Sequence, residues 1–275
     1  MKRKIKSAVV RLFIAVAVLL FIWYFSTFPV TVSHTEIKSD KINGDIKIVQ
    51  ITDLHGTEFS RQNESLIKQI EKEKPDLVFA TGDMYTNSDQ KGKDTAKHLL
   101  VSLAEKFPIY YVTGEHDNDN DFHLFLENNG VFVLDYKTET VKIRDTEIVL
   151  YGINNVYYSP TFDLFNEFSP DYSKYNILMA HINNADAFKD FGADLTVCGD
   201  THGGQIRLPL LGAVYMDGEW LPEWSDKKQT AYVKGLYNLG ENKLFVSGGL
   251  GSRPYPFRLF NRTEISVITL KPLTK

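Results

Sequence analysis

A chain of 275 residues with 43% hydrophobic and 24% charged residues has the make-up of a folded protein, with room for one large domain or two small ones. It contains no repeat or low-complexity tract, and its one cysteine, Cys198, excludes an internal disulfide, so the core must stabilise itself. Net charge is −4 but unevenly spread: five of the 31 basic residues lie before residue 12, and no acid precedes Glu36. The remaining 26 basic against 35 acidic residues give a body of about −9, which argues against broad nucleic-acid binding.

The front of the chain stands apart. Lys2, Arg3, Lys4, Lys6 and Arg11 precede an uncharged run from Leu12 to Val30. At ~1.5 Å per helical residue that run reaches across a bilayer core, which takes ~20 residues. Trp23 and Tyr24 fall near its far end, where aromatic rings favour the interface. The basic flank predicts a single-pass cell-membrane protein, N-terminus cytoplasmic, with everything after residue 30 extracellular or periplasmic. A cleaved signal peptide is the competing reading, but FSTFPV lacks a small-residue cleavage pattern and favours an uncleaved signal-anchor. Residues 1–30 are thus read as basic tip and anchor, 31–45 as a linker and 46–275 as one domain.

Within that domain apolar β-rich runs alternate with helical patterns. DIKIVQIT (45–52) reads as a strand, NESLIKQIEKEK (63–74) as an amphipathic helix and DLVFAT (76–81) as a second strand. A helix follows near Thr95–Lys106, then the strand IYYVT (109–113) and a helix over 121–130 that Gly130 can end in a left-handed cap. VFVLD, TVKIR and EIVLYGI are strands, as are YNILMAH (175–181) and DLTVCG (194–199), with a short helix through 184–189 between them. From Tyr232 to Leu270 strands and turns dominate. The order predicts an α/β fold with two packed mixed β-sheets flanked by helices, preceded by one transmembrane helix.

Chemistry-bearing residues recur at one topological position. Asp53 and His55 follow the first strand, Gly82 and Asp83 the second, and Gly114, Glu115, His116 and Asp117 the third; His181 ends another strand, and Asp200 and His202 follow the next. Ligands of open α/β sheets bind beyond the carboxyl ends of strands, so these loops are placed to converge on one edge. Each piece alone is weak, since a D-x-H turn is more often a cap and T-G-D an ordinary turn. His34, His98 and His123 lack this context and read as solvated or structural, and Cys198 as a buried inert thiol. Carboxylate with imidazole and no thiolate suits two divalent ions of the Mn, Fe, Zn or Mg type. A bridging carboxylate would hold such ions ~3.5–4 Å apart, where they activate water and stabilise a phosphoryl group under in-line attack by the bridging hydroxide.

The series DLH, GD, GEHD, H and GDTHGGQ resembles the calcineurin-like metallophosphoesterase superfamily over about residues 45–270. The tail GDTHGGQIRLPLLGAVY, with GLYNLG, VSGGLG and FNRTE, is similar to its membrane-anchored, YkuE/YaeI-type phosphodiesterase branch. The resemblance implies that Asp53, His55 and His202 hold the first metal, that Asp83 bridges, and that Glu115, His181 and Asp200 hold the second. It places His116 beside the substrate as a proton donor, with Asp117 orienting its ring. Three positions depart from the superfamily pattern: Thr86 replaces a second Asp that is not a direct ligand, Glu115 replaces Asn, and Asp200 replaces His. Both ligand changes fall on the second metal, and both bring hard oxygen donors. With Asp53 and Asp83 the added carboxylates make four negative charges, which cancel those of two divalent ions, and they favour a harder ion at that site.

These features predict a membrane-anchored metallophosphoesterase with an altered second metal site, a phosphodiesterase in the first instance, with a phosphomonoesterase left open. Substrates of the membrane–water boundary fit the anchor: a phospholipid, a lipid-linked nucleotide sugar or a cell-envelope phosphodiester. A non-hydrolytic metal-dependent binding protein on the same scaffold is the alternative; a nuclease fits the acidic domain poorly. Arg253 and Arg258 could meet a phosphate or serve structure; Phe257, Leu259 and Phe260 could touch lipid or pack in the core, and the LPEW run (221–224) could line a cleft or fold under the last sheet.

Overall fold

The inner strands carry apolar residues on both faces, and this decides the layering. In the computed structural model, which describes residues 2–154, 163–216, 218–225, 231–253 and 255–273, two six-stranded sheets pack face to face. In the first, β1 (Thr31–Ser39) lies beside β15 (Glu264–Pro272), followed by β2 (Ile46–Ile51), β3 (Leu77–Thr81), β4 (Ile109–Val112) and β5 (Phe132–Val133). The second runs in the order β13 (Gly235–Leu239), β14 (Asn242–Val246), β9 (Leu195–Cys198), β8 (Tyr175–Met179), β7 (Thr146–Gly152) and β6 (Lys137–Ile143). Both are mixed: β2, β3, β4 and β5 are parallel, as are β14, β9, β8 and β7, with antiparallel pairs at β15–β2, β13–β14 and β6–β7.

Strand alternation sorts side chains between layers. Ile48, Phe79, Tyr110, Ile177, Val197 and Phe245 meet between the sheets. Val49, Val78 and Tyr111 face outward from the first sheet onto α2 (Glu64–Glu73), α3 (Gln90–Ala104) and α4 (Asn120–Asn128). Leu178, Cys198 and Leu244 face α5 (Leu164–Glu167) and α6 (Ala185–Phe191) on the other side. Caps set the helix starts: Asp89 accepts from Gly92 N, Asp119 from Asp121 N and Phe122 N, and Asn184 from Ala187 N. The Asp89 cap opens α3 five residues before the Thr95 start that apolar spacing alone predicts, because its first turn is polar. Cys198 is fully buried, and His123 is a structural histidine, 3.1 Å from Thr113 Oγ1.

The linker expected over 31–45 is corrected in its larger part. Residues 31–39 form β1, parallel to β15 along its whole length from Thr31↔Glu264 to Ser39↔Pro272. Its partner lies some 230 residues away, so no local pattern announces the pairing. Ahead of it, α1 (Lys2–Thr27) contains a 22-residue stretch, Lys6–Thr27, long and apolar enough to cross a membrane. Its end is tied to the domain. Thr263 N and Thr263 Oγ1 donate to Ser26 O and Thr27 O, Phe260 N donates to Ser26 Oγ, and Trp23 Nε1 donates to Pro256 O. A third, small antiparallel sheet, β10 (Ile206–Leu208), β11 (Gly212–Met216) and β12 (Glu219–Trp220), projects from the loop after β9.

Candidate metal centre

The parallel strands of both sheets end at one edge, and the loops that follow them meet there. Gln50 ties the two sheets just below it, donating to Thr81 Oγ1 and Cys198 O. β2 delivers Asp53 and His55, β3 Asp83, β4 Gly114 to Asp117, β8 His181, and β9 Asp200 and His202. Asp53, His55, Asp83, Asp200 and His202 all sit at positive φ, between 46° and 71°, a region that side chains rarely adopt. Strain concentrated on five residues of one edge marks a functional site, because only the surrounding structure can hold it. Two glycines let these loops close: a Cβ on Gly114 would stand 2.1 Å from Asp83 Oδ1, and one on Gly249, at φ +67°, 2.6 Å from Asp53 Oδ2.

Three groups of side chains come within metal-binding reach of one another: Asp53, His55 and His202; Asp53, Asp83 and His181; and Asp83, Glu115 and His116. His55 Nε2 lies 3.3 Å from His202 Nε2 and 3.6 Å from Asp83 Oδ2. His181 Nε2 lies 3.4 Å from Asp83 Oδ2, 3.8 Å from Asp200 Oδ1 and 3.9 Å from Asp53 Oδ1. In each of these three rings Nδ1 is already engaged. His55 Nδ1 is 3.2 Å from Thr86 Oγ1, His181 Nδ1 donates to Thr81 O at 2.7 Å, and His202 Nδ1 donates to Gly251 O at 3.2 Å. Such contacts fix tautomer and ring angle and turn Nε2 to the centre, as metal-binding histidines require.

The donors fit a metal on a second count. His181 Nε2 and Asp53 Oδ2 are buried without a hydrogen-bond partner, and orphaned buried polar atoms are costly. Burial pushes Asp53 up to about 7 against the pull of His181, and lowers His55 to about 4. His202 is driven well down by burial and by His55, so both imidazoles of the first group are neutral and lone-pair donors. Burial would also lower His181, but Asp83, Asp53 and Asp200 outweigh it and hold the ring charged. Burial raises Asp83, yet His181 and His55 more than compensate and keep it ionised. Unscreened like and unlike charges in so small a buried volume are what a bound cation resolves.

The structure places the expected residues unequally. Asp53, His55, Asp83, His181 and His202 converge, and Asp200 joins them through His181. Glu115 does not group with His181: its side chain is half exposed and reaches His116 Nε2 at 3.2 Å instead. Asp117 departs from its expected role of orienting His116. It is buried, and its two oxygens accept from Met84 N and Gly114 N, both at 2.7 Å, so it ties the β3 and β4 loops together. His116 takes Arg253 as its neighbour, with Nη1 against both ring nitrogens, Nδ1 and Nε2. Arg258 is structural, fully buried and donating to Gly248 O, Gly251 O and Ser252 Oγ. Sequence reasoning passed over Thr86 as a lost carboxylate; its hydroxyl holds His55. That Gly249 and Gly251 pack against the Asp53 loop was not read from the sequence, although the glycine run is the signal of a close approach.

A sandwich of two mixed sheets that gathers imidazole and carboxylate at one edge, with no thiolate, is the scaffold of a metal-dependent hydrolase. A model of the calcineurin-like phosphoesterase family matches residues 46–204, and the chain belongs to that family. It is therefore a metallophosphoesterase, a hydrolase of phosphoester bonds. It is 28% identical over 263 residues to the uncharacterized metallophosphoesterase YkuE of Bacillus subtilis, covering 88% of this chain and 85% of YkuE. To the phosphodiesterase YaeI of Escherichia coli it is 29% identical over 237 residues, 82% of each chain. Among solved structures, phosphopantetheinyl hydrolase from Mycobacterium tuberculosis aligns over 76% of this chain and 91% of its own at 11% identity and a TM-score of 0.46.

Proposed function

We propose that this chain is a membrane-anchored phosphodiesterase that works at the membrane surface through two divalent ions. The observation that carries the reading is the pair of orphaned buried atoms, His181 Nε2 and Asp53 Oδ2, set among side chains within metal-binding reach of one another: Asp53 with His55 and His202, and Asp53 with Asp83 and His181. Asp53, His55 and His202 would hold the first ion, and Asp83, His181 and Asp200 the second, with Asp83 shared. Bound there, the ions supply an acidified water and neutralise charge on phosphoryl oxygens. Asp200, and Glu115 at the rim, make the second site oxygen-rich and favour a harder ion such as Mn²⁺ or Mg²⁺ over Zn²⁺.

The chain's own groups complete the site. His116, 3.9 Å from Asp83 Oδ2 and partly open to solvent, is placed to give a proton to the leaving oxygen of a phosphoester. Arg253 beside it presents a planar donor fork to a non-bridging oxygen. Asp117 keeps the loops of Asp83 and His116 in register. The basic flank of α1 sets the N-terminus in the cytoplasm and the domain outside. The acidic body fits a phosphoester of the cell envelope, lipid-linked ones included, better than a nucleic acid.

Comparing bis-p-nitrophenyl phosphate with p-nitrophenyl phosphate, after chelation and return of Mn²⁺, tests the reading. The diester is turned over faster and only with metal; a strict preference for the monoester would overturn it.

A further inference from the structure

The tip of the β10–β11 hairpin is built against the rules for a turn in water. Hairpin turns favour Asn, Asp or Gly, yet this one reads Leu208-Pro209-Leu210-Leu211 before Gly212. Leu210 is held at φ 69° and is fully exposed, a position where a leucine is costly both for backbone and for hydration. Leu208 and Leu211 are exposed as well. Trp224 hands its Nε1 to Leu211 O at 3.2 Å and leaves most of its ring in the open, as does Trp220, which packs edge-on against Tyr215. With Trp23 on α1, this accounts for all three tryptophans of the chain.

The hairpin does not stand apart from the helix. A groove of about 770 Å³ is lined by Phe21 and Phe25 of α1, Leu208 and Leu210 of the hairpin, Phe260 and Arg262. Phe21 lies six residues before the helix ends at Thr27, so on a spanning helix the groove reaches ~9 Å inside that end at ~1.5 Å per residue. Leu208 and Leu210 line that groove together with Phe21 and Phe25, so the hairpin tip lies against the last turns of the helix. Arg262, exposed and without an ion-pair partner among the described residues, stands at the groove edge, where a lipid phosphate would lie.

We propose that the β10–β12 sheet is a second membrane contact, its Leu208–Leu211 tip seated in the leaflet beside α1, with an acyl chain of a phospholipid in the groove and the lipid phosphate on Arg262. This rests on the proposed membrane span of α1 but not on the catalytic assignment. The contact fixes the domain against the bilayer, and β10 starts four residues after His202, so it also fixes how the metal centre faces the surface.

The test uses the full chain carrying Trp23→Phe, reconstituted into phosphatidylcholine–phosphatidylglycerol vesicles with plain or brominated acyl chains. Flotation scores the anchor, and hydrolysis of a soluble phosphodiester scores the centre. Brominated chains are expected to remove most of the Trp220 and Trp224 emission. Leu210→Asp with Leu211→Asp, tolerable at an exposed turn, is expected to restore it while flotation persists. Emission that ignores brominated lipid and falls with aqueous iodide overturns the proposal, as does failure to float. Protection from both quenchers together with a cross-linked dimer overturns it in favour of a second copy of the chain. Quenching without hydrolysis upholds the membrane contact and removes the catalytic reading instead.

Discussion

Two loops of this protein carry the same tripeptide pattern, Asp53-Leu54-His55 after β2 and Asp200-Thr201-His202 after β9, one from each sheet. In both, the aspartate and the histidine adopt positive φ. Their histidines meet, Nε2 to Nε2, at 3.3 Å. The aspartates differ. Asp53 is wholly buried and its carboxylate is pushed up to about 7 by that burial, whereas Asp200 is about a third exposed. The same local geometry therefore makes a closed half, where charge is forced to find a cation, and an open half, where oxygen donors can be exchanged for others at little structural cost. Asp200 and Glu115, the two positions that depart from the superfamily pattern at the proposed second site, both have side chains open to solvent.

Breaking the shared element should cost most. Asp83→Asn removes the carboxylate that faces both halves and is expected to lower kcat by on the order of 10³ or more, with the second ion lost in metal analysis. His116→Ala leaves both halves intact, so kcat should fall by roughly 10²–10³ while metal content stays unchanged. A matching loss of metal would show that His116 is a ligand and not a proton donor. Thr86→Val tests the closed half alone: freeing His55 Nδ1 should weaken the first ion by about 10–100-fold in a calorimetric titration and spare the second.

Acidity divides the donors differently. His55 and His202 are held neutral by burial, so they surrender no proton to a metal near neutral pH. Asp53 is raised to about 7 and His181 well above its usual range, so toward acid pH both hold protons that an ion must displace. Affinity should rise with pH through 7, by up to about tenfold per unit for each proton displaced. Calorimetry in buffers of different ionisation enthalpy reads that release directly, and a pH-independent affinity would contradict the burial argument. The smallest effect is expected from Asp200→His, which should shift the second site from Mn²⁺ toward Zn²⁺ in a competition titration without disturbing the first.

Much of this was legible in the residues. Strand-end placement alone marked Asp53, His55, Asp83, His181, Asp200 and His202, because a parallel sheet converts recurrence in sequence into convergence in space. The two sheets followed from alternating strands and helices. β1 was not legible: TVSHTEIKS is polar, half exposed and paired with a strand at the far end of the chain. The role of Asp117 was hidden too, since accepting two backbone amides depends on loop shape and not on residue type. Nor could spacing show that aspartate and histidine, rather than only the glycines, take the left-handed turns. Arg253 reaches His116 from a segment with no periodicity, and only the fold brings it there.

The central claim is that this edge holds two ions, one in the closed half and one in the open half. Anomalous diffraction from crystals of the full chain grown with Mn²⁺ tests it most directly. The account predicts two peaks that share Asp83, one against His55 and His202 and the other against His181 and Asp200; a single peak, or a second peak held by Glu115 and His116 instead, would contradict it.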